Sequence, residues 1–325
     1  MYLKKSLFFF IISFIIISIL NISNADWPSN KPIKIVMPFA HGGTGDLVGR
    51  LIVNSLQTVI DTPVVVEYKI GAAGMIGRNI VVQAKPDGHT LLVIEGAIAI
   101  RSGLGIPIPF DYEESLSSIG IVASTLYILV VSNSLPVNNI HELISFAKEN
   151  PGKLNFGSGG IGANTHMGGE ILKSVAEIDI VHIPYKGAGG VIPDLIAGRV
   201  DILVSTVATL LPYIKSGQVR PIVLLSDNRT DILPTVSTVV EEGYKNMVMP
   251  DYWVGLAAPP NTSIKIIDQL NHSVNTSMNN PKVKSYMKER GLMLKSMTPS
   301  ESTKQITQEI DYWREFVKKN NIKIE

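Results

Sequence analysis

Two glycine-rich stretches carry most of the chemistry this sequence can offer. Val36-Met37-Pro38-Phe39-Ala40-His41-Gly42-Gly43-Thr44-Gly45-Asp46 leads from an apolar segment through a turn into a helical pattern, and Leu154–Phe156 leads into Gly157-Ser158-Gly159-Gly160-Ile161-Gly162. A strand, a tight turn and a helix N-terminus together offer unpaired backbone N–H groups and the positive end of a dipole to an anion. Glycine lets the backbone approach a ligand with no Cβ in the way. Hydrogen bonds to a charged acceptor contribute about 1.5–3 kcal/mol. Two or three N–H groups from each turn would hold a carboxylate at about −8 kcal/mol, a micromolar affinity, without an arginine. Ser205 and Thr206, just past the end of an apolar strand, are candidate cleft hydroxyls. Asp46 is expected to cap its own helix, with Arg50 paired to it one turn on. Lys69 and Lys186 are read as rim or structural charges, and packing alone is the competing use for any single glycine turn.

Chemistry that converts a substrate finds less support. Gly157-x-Gly159-x-x-Gly162 fits a dinucleotide fingerprint, but the acid that should follow the next strand is misplaced: Asp179 precedes that strand, whose carboxyl end offers Pro184 and Tyr185. Phe156 occupies the first glycine position of a nucleophile elbow around Ser158. No Gly-Lys-Ser/Thr follows a phosphate loop, and His41, His89, His141, His166, His182 and His272 are dispersed without metal-ligand spacing. The expectation is a non-enzyme with no metal and no cofactor; a nucleotide-dependent enzyme is the remote alternative.

Composition fixes the setting. Met1–Ala25 has Lys4 and Lys5, an apolar run Leu7–Leu20 and Ser23-Asn24-Ala25, the three parts of a secretory signal. Fourteen helical residues reach about 21 Å, short of the roughly 30 Å hydrocarbon core, so cleavage is expected rather than anchoring. Removal leaves 325 − 25 = 300 residues and takes the formal charge from +1 to −1. With no long basic run a nucleic-acid partner is excluded, and with no cysteine there are no disulfides or thiolate chemistry. A soluble, monomeric periplasmic protein is expected.

The elements that must position the two turns alternate. Ile33–Met37, Pro63–Tyr68 and Thr90–Ile94 read as strands, with helices at Asp46–Ile60 and up to Gln83, which argues for a parallel α/β sheet. The order recurs after Leu154, and Gly42/Gly159, Gly43/Gly160, Gly45/Gly162, Tyr68/Tyr185 and Lys69/Lys186 all stand 117 apart. Two similarly built lobes are expected, with Ile119–Ser132 as one crossing strand and Arg220–Ser226 carrying the chain back. The expected division is a first domain of 26–124 plus 226–325 and a second of 125–225. Helices at Ile264–Met278, Pro281–Arg290 and Pro299–Lys319, the last capped by Thr298, would complete the first. The fold class is α/β, two lobes joined by two crossings, with a ligand in the cleft.

The chain resembles the substrate-binding proteins of tripartite tricarboxylate transporters, the Bug family. The resemblance rests on Pro38-Phe39-x-x-Gly42-Gly43-x-x-Asp46 with Arg50, Gly71-Ala72-x-Gly74-x-Ile76-Gly77, Pro86-Asp87-Gly88-x-Thr90-Leu91-Leu92 and Pro151-Gly152-Lys153-Leu154-Asn155-Phe156. It continues through Thr165-His166-x-x-Gly169-Glu170, His182-x-Pro184-Tyr185-Lys186-Gly187 and Gly198-x-Val200-Asp201, from about Trp27 to the C-terminus. It implies a type II-like periplasmic binding protein that closes on a small organic acid and delivers it to a membrane permease. It further implies ligand contacts at Phe39, Ala40, His41, Gly42, Gly43 and Thr44, faced by Ser158, Gly159, Gly160, Ile161, Gly162, Thr165 and His166. A periplasmic sensor signalling to a membrane partner is the alternative, since both tasks need the same clamp.

Three positions depart from the family pattern: His41 where a small residue or Pro is common, Ile161 where Asn is frequent, and Ala163 where Ser or Thr is frequent. The segment Glu95–Ile108 also lacks the usual polar, glycine-containing loop. A cleft with fewer hydroxyls and amides satisfies fewer ligand polar groups, which argues against citrate and polyhydroxy acids. Glu95 in the cleft would repel a second carboxylate or attract an ammonium, so a less polar monocarboxylate or an amino acid is expected.

Overall fold

The computed structural model describes residues 27–28, 31–71, 74–106 and 115–320. The expected signal segment, Ala72 and Ala73 lie outside the described residues. Two sheets organise the chain. Among the described residues the first has six strands and the second five.

The first sheet is built on β1 (Ile33–Met37), flanked in parallel by β2 (Val64–Tyr68) and β3 (Thr90–Glu95). In β1 only Lys34 is exposed, because helices cover both faces, and this is why the strand reads as an apolar run rather than an alternation. Helix α1 (Thr44–Leu56) packs against it through Gly49, where a Cβ would stand 2.4 Å from the Met37 side chain. Helices α2 (Met75–Val82) and α3 (Ala97–Gly103) follow the next two strands.

The expected parallel sheet is mixed. Strand β10 (Tyr252–Ala258) enters antiparallel between β3 and β4 (Ser117–Thr125), and β11 (Met293–Leu294) adds antiparallel at the edge. Local alternation of strands and helices reports only the βαβ units; β10 arrives from a remote part of the chain. The segment Ile119–Ser132 is not one strand. It divides at Leu126 into β4, in the first sheet, and β5 (Tyr127–Ser132), in the second, because its halves pair with different partners.

The second sheet repeats the construction. Helix α4 (Ile140–Glu149) leads to β6 (Asn155–Ser158), α5 (Asn164–Ala176), β7 (Val181–Pro184), a short α6 (Ile192–Ile196), β8 (Ile202–Thr206) and α7 (Val207–Lys215). Strand β6 is parallel to β7 and β8, whereas β5 runs antiparallel to β8 and to β9 (Val219–Leu224). A turn-rich segment then leads from β9 to β10. Helices α8 (Ile264–Met278), α9 (Pro281–Glu289) and α10 (Pro299–Asn320) complete the first lobe. Thr298 caps α10 as expected: its hydroxyl accepts the Glu301 N–H at 3.2 Å and its own N–H donates to the Glu301 carboxylate at 2.8 Å.

The lobes correspond at a different spacing from the sequence echo. Gly42 and Gly162 both have positive φ two residues before a helix, +89° and +73°. Thr44 and Asn164 begin those helices. Gly49 and Gly169 bring them onto their sheets, Gly169 so closely that a Cβ would lie 2.1 Å from Phe156. These pairs are 120 apart. The spacing of 117 remains for the Tyr-Lys pairs near the ends of β2 and β7, whereas Gly45, matched in sequence to Gly162, lies inside α1.

Candidate functional site

The turn after β1 and the turn after β6 face one another across a cavity of about 620 Å³. Phe39, Ala40, His41, Gly43 and Thr44 line it from the first lobe; Gly159, Gly160, Ile161, Gly162, Thr165, Ser205 and Thr206 line it from the second. Gly43 is the N-cap of α1, and nothing stands within 4 Å of where its Cβ would be. Packing therefore does not account for its lack of a side chain.

Three expected contact residues do not line the cavity. Gly42 gives its N–H to the Asp46 carboxylate at 3.0 Å and has none left for a ligand. Ser158 is fully buried; its hydroxyl shares a 2.6 Å hydrogen bond with His182 Nε2 and accepts the Gly160 N–H at 3.1 Å. His166 is also buried, and its Nδ1 accepts the Gly162 N–H at 3.3 Å. These groups hold the loops from behind.

Asp46 does not occupy the cap position. It stands in the first turn of α1, fully buried, and reaches back to Gly42 while accepting the Tyr68 hydroxyl at 2.7 Å and pairing with Arg50 at 3.0 Å. The Arg50 pair is the expected one; the cap belongs to Gly43 because the turn needs backbone there. His41 remains exposed and meets Tyr68 at a tilt of 54°, with ring centroids 4.2 Å apart.

In the second lobe His166 stands where Asp46 stands in the first. The histidines are not all dispersed: the His166 and His182 rings meet at 4.2 Å with a tilt of 33°, and Phe156 stacks on His182 at 4.8 Å. Burial pushes the His166 imidazole down to about 4, with the neighbouring His182 adding to the shift, and burial lowers His182 as well. Neutral His166 is the form able to accept the Gly162 N–H. Among the described residues no group of three His, Cys, Asp or Glu could hold a metal ion.

The lobes touch. Thr44 Oγ1 lies 2.7 Å from Thr206 Oγ1 and 2.9 Å from Thr209 Oγ1, a hydroxyl cluster that joins α1 to the start of α7. Gly187 and Gly189 lie against the first turn, where a Cβ on either would meet Ala40 Cβ at 3.3 Å or the His41 carbonyl at 3.4 Å. Arg101 on α3 reaches across to the Ile161 carbonyl at 3.4 Å.

Glu95 lines the cavity and accepts the hydroxyl of Tyr252, which Tyr127 meets edge-on at 6.1 Å. Burial pushes Glu95 up to about 7, against the lowering effect of the Tyr252 hydrogen bond and the Arg78 charge. A carboxyl held this close to neutrality repels a second carboxylate, or attracts an ammonium, less than a free glutamate would. The sequence reading missed Arg101, Asn164, Thr209, Tyr127 and Tyr252, all on the cavity wall. The spacing of Ala97 and Arg101, one helical turn apart, was the available signal for Arg101. Lys186 also faces the cavity, whereas Lys69 pairs with Glu67 at 2.8 Å.

Comparison with known proteins agrees with this architecture. Residues 48–322 match the family described as tripartite tricarboxylate transporter family receptor. Protein BugT of Bordetella pertussis is 30% identical over 303 residues, 93% of each chain. The solved periplasmic binding protein BugD superposes with a TM-score of 0.85 at 30% identity, covering 91% of this chain and 99% of its own. An R. palustris protein solved with adipate gives 0.87 at 26% identity, covering 91% and 99%. The chain thus belongs to the tripartite tricarboxylate transporter receptor family, with the two-lobed α/β fold of the Bug periplasmic binding proteins.

Proposed function

We propose that this chain is a periplasmic solute-binding protein that closes its lobes, 26–124 plus 226–325 and 125–225, on a small organic acid and hands it to a tripartite tricarboxylate-type permease. The observation that carries this is the cavity wall. Two glycine turns, each running into a helix N-terminus, face one another from opposite lobes, and among the described residues Arg101, Lys186 and His41 share the wall with one acid, Glu95. Such a site favours an anion and draws it into contact with both lobes, so binding and closure are coupled. The adipate held by a relative of the same fold supports a carboxylate. The protein works as a monomer, exported by cleavage after Ala25, with capture rather than conversion as its task and no cofactor.

A thermal-shift screen of mono-, di- and tricarboxylates and amino acids tests this reading. A ligand at a hundredfold excess over Kd should stabilise the fold by about 2.7 kcal/mol. No shift with any acid, together with turnover of one of them, would sink it.

A further inference from the structure

We propose that Arg101 selects the ligand: its guanidinium takes the carboxylate of an acid that carries one hydrogen-bond donor, a hydroxyl or an ammonium, close to that carboxylate, and Asn164 takes the donor. This rests on the binding-protein reading above and narrows it.

Arg101 projects from α3 of the first lobe to the second glycine turn. Its Nη1 is 3.4 Å from the Ile161 carbonyl, and a Cβ on Gly162 would come within 3.3 Å of the same nitrogen. Among the described residues no carboxylate forms an ion pair with it, its Nε is buried with no hydrogen-bond partner, and burial lowers its pKa. A guanidinium held half out of water with no ion pair to any described carboxylate is costly unless an anion completes it. The cavity it lines is where that anion arrives, and the planar fork of N–H groups fits a carboxylate.

Asn164 is an independent observation. It opens α5, two residues after Gly162, and lines the cavity; it is only 7% exposed, and its amide oxygen is buried without a partner. A buried amide acceptor left unpaired costs about 1–3 kcal/mol. A donor on the ligand, near the group that Arg101 holds, removes that cost. Phe39, Ile70, Tyr127 and Ile161, on the same wall, favour an apolar body. A 2-hydroxy or 2-amino monocarboxylate has all three features.

The test measures Kd by calorimetry for 3-phenyllactate, phenylalanine, 3-phenylpropionate and citrate on the full mature chain. Expected is binding of 3-phenyllactate or phenylalanine, whichever donor the site takes, about tenfold tighter than 3-phenylpropionate, which lacks it. Arg101→Met should weaken that ligand about 100-fold with an unchanged melting temperature in the absence of ligand. Arg101→Lys, which keeps the charge but loses the fork, should fall between. Asn164→Ala should erase the difference between 3-phenyllactate or phenylalanine and 3-phenylpropionate. Equal binding by wild type and Arg101→Met, or 3-phenylpropionate binding as tightly as both substituted acids, overturns the proposal. If citrate or a dicarboxylate binds and Arg101→Met is indifferent, the ligand assignment falls while the binding function stands. If no acid binds the wild type, both fall.

Discussion

Glu95 shows how one residue changes meaning between sequence and structure. In the sequence it is a negative charge in a loop; in the fold it is enclosed beside Tyr252 and Tyr127, and burial holds its pKa at about 7 against a usual 4.5. Because the folded state keeps the proton that the unfolded chain gives up, its contribution is fully present below about pH 4.5 and is lost as pH rises through 7. Glu309 has the same sign. It is buried between the indole N–H groups of Trp253 and Trp313 and is also raised to about 7. His166 has the opposite sign: held at about 4, below its usual 6.5, it contributes stability above pH 6.5 that is lost as pH falls toward 4. Glu95→Gln removes one term from the alkaline side only. Urea unfolding at pH 5 and pH 8 should show a smaller loss of stability between the two for the variant than for the wild type, and an equal loss would show that Glu95 ionises freely.

At the level of elements, α1 and α5 are the two pieces on which the cleft depends, and both are fixed by glycines whose need is visible only in packing. Gly168 and Gly169 let α5 lie directly on β8 and β6, where a Cβ would meet Val204 at 2.3 Å or Phe156 at 2.1 Å. Gly169→Ala forces α5 off its strand and should cost about 1–3 kcal/mol, the range for overpacking. Chemical denaturation would read that loss, and an unchanged midpoint would mean that Phe156 can move aside. The helices themselves were legible in sequence: α8 spans its expected range, α9 and α10 fall within a residue of theirs, and the Thr298 cap is where Thr-Pro-Ser-Glu places it. Helix α1 was expected at Asp46–Ile60 and spans Thr44–Leu56: its start was missed by two residues, because Asp46 looks like a cap when read alone and only the backbone shows that Gly43 takes that position, and its end by four.

The whole molecule is a clamp whose halves meet through small polar groups. Thr44, Thr206 and Thr209 form the one cross-lobe hydroxyl cluster among the described residues, on the wall of the cavity. Thr44→Val keeps the shape and removes two hydrogen bonds that exist only when the lobes are together. At about 0.5–1.5 kcal/mol each, their loss should weaken ligand binding roughly tenfold while leaving the melting temperature of the ligand-free protein within a degree or two of wild type. An unchanged Kd in calorimetry would remove the cluster from the closing energy.

The sequence by itself determined the class of fold, the two glycine turns, the recurrence of one α/β plan in two halves and the family, because βαβ units, glycine turns and spaced motifs are local patterns. It read Ser205, Thr206 and most of the two turns onto the cavity wall. Only the tertiary structure decided that Gly42, Ser158 and His166 support the turns from behind, that the halves correspond at 120 residues and not 117, and that a mixed sheet takes β10 from far along the chain. Only the structure, too, brought Arg101 and Asn164 from different lobes to the wall of one cavity and set Glu95 beside Tyr252. The physical reason is the same in each case: hydrogen-bond partners and burial are set by residues far apart in the chain, and spacing along the sequence carries no record of which N–H is already taken.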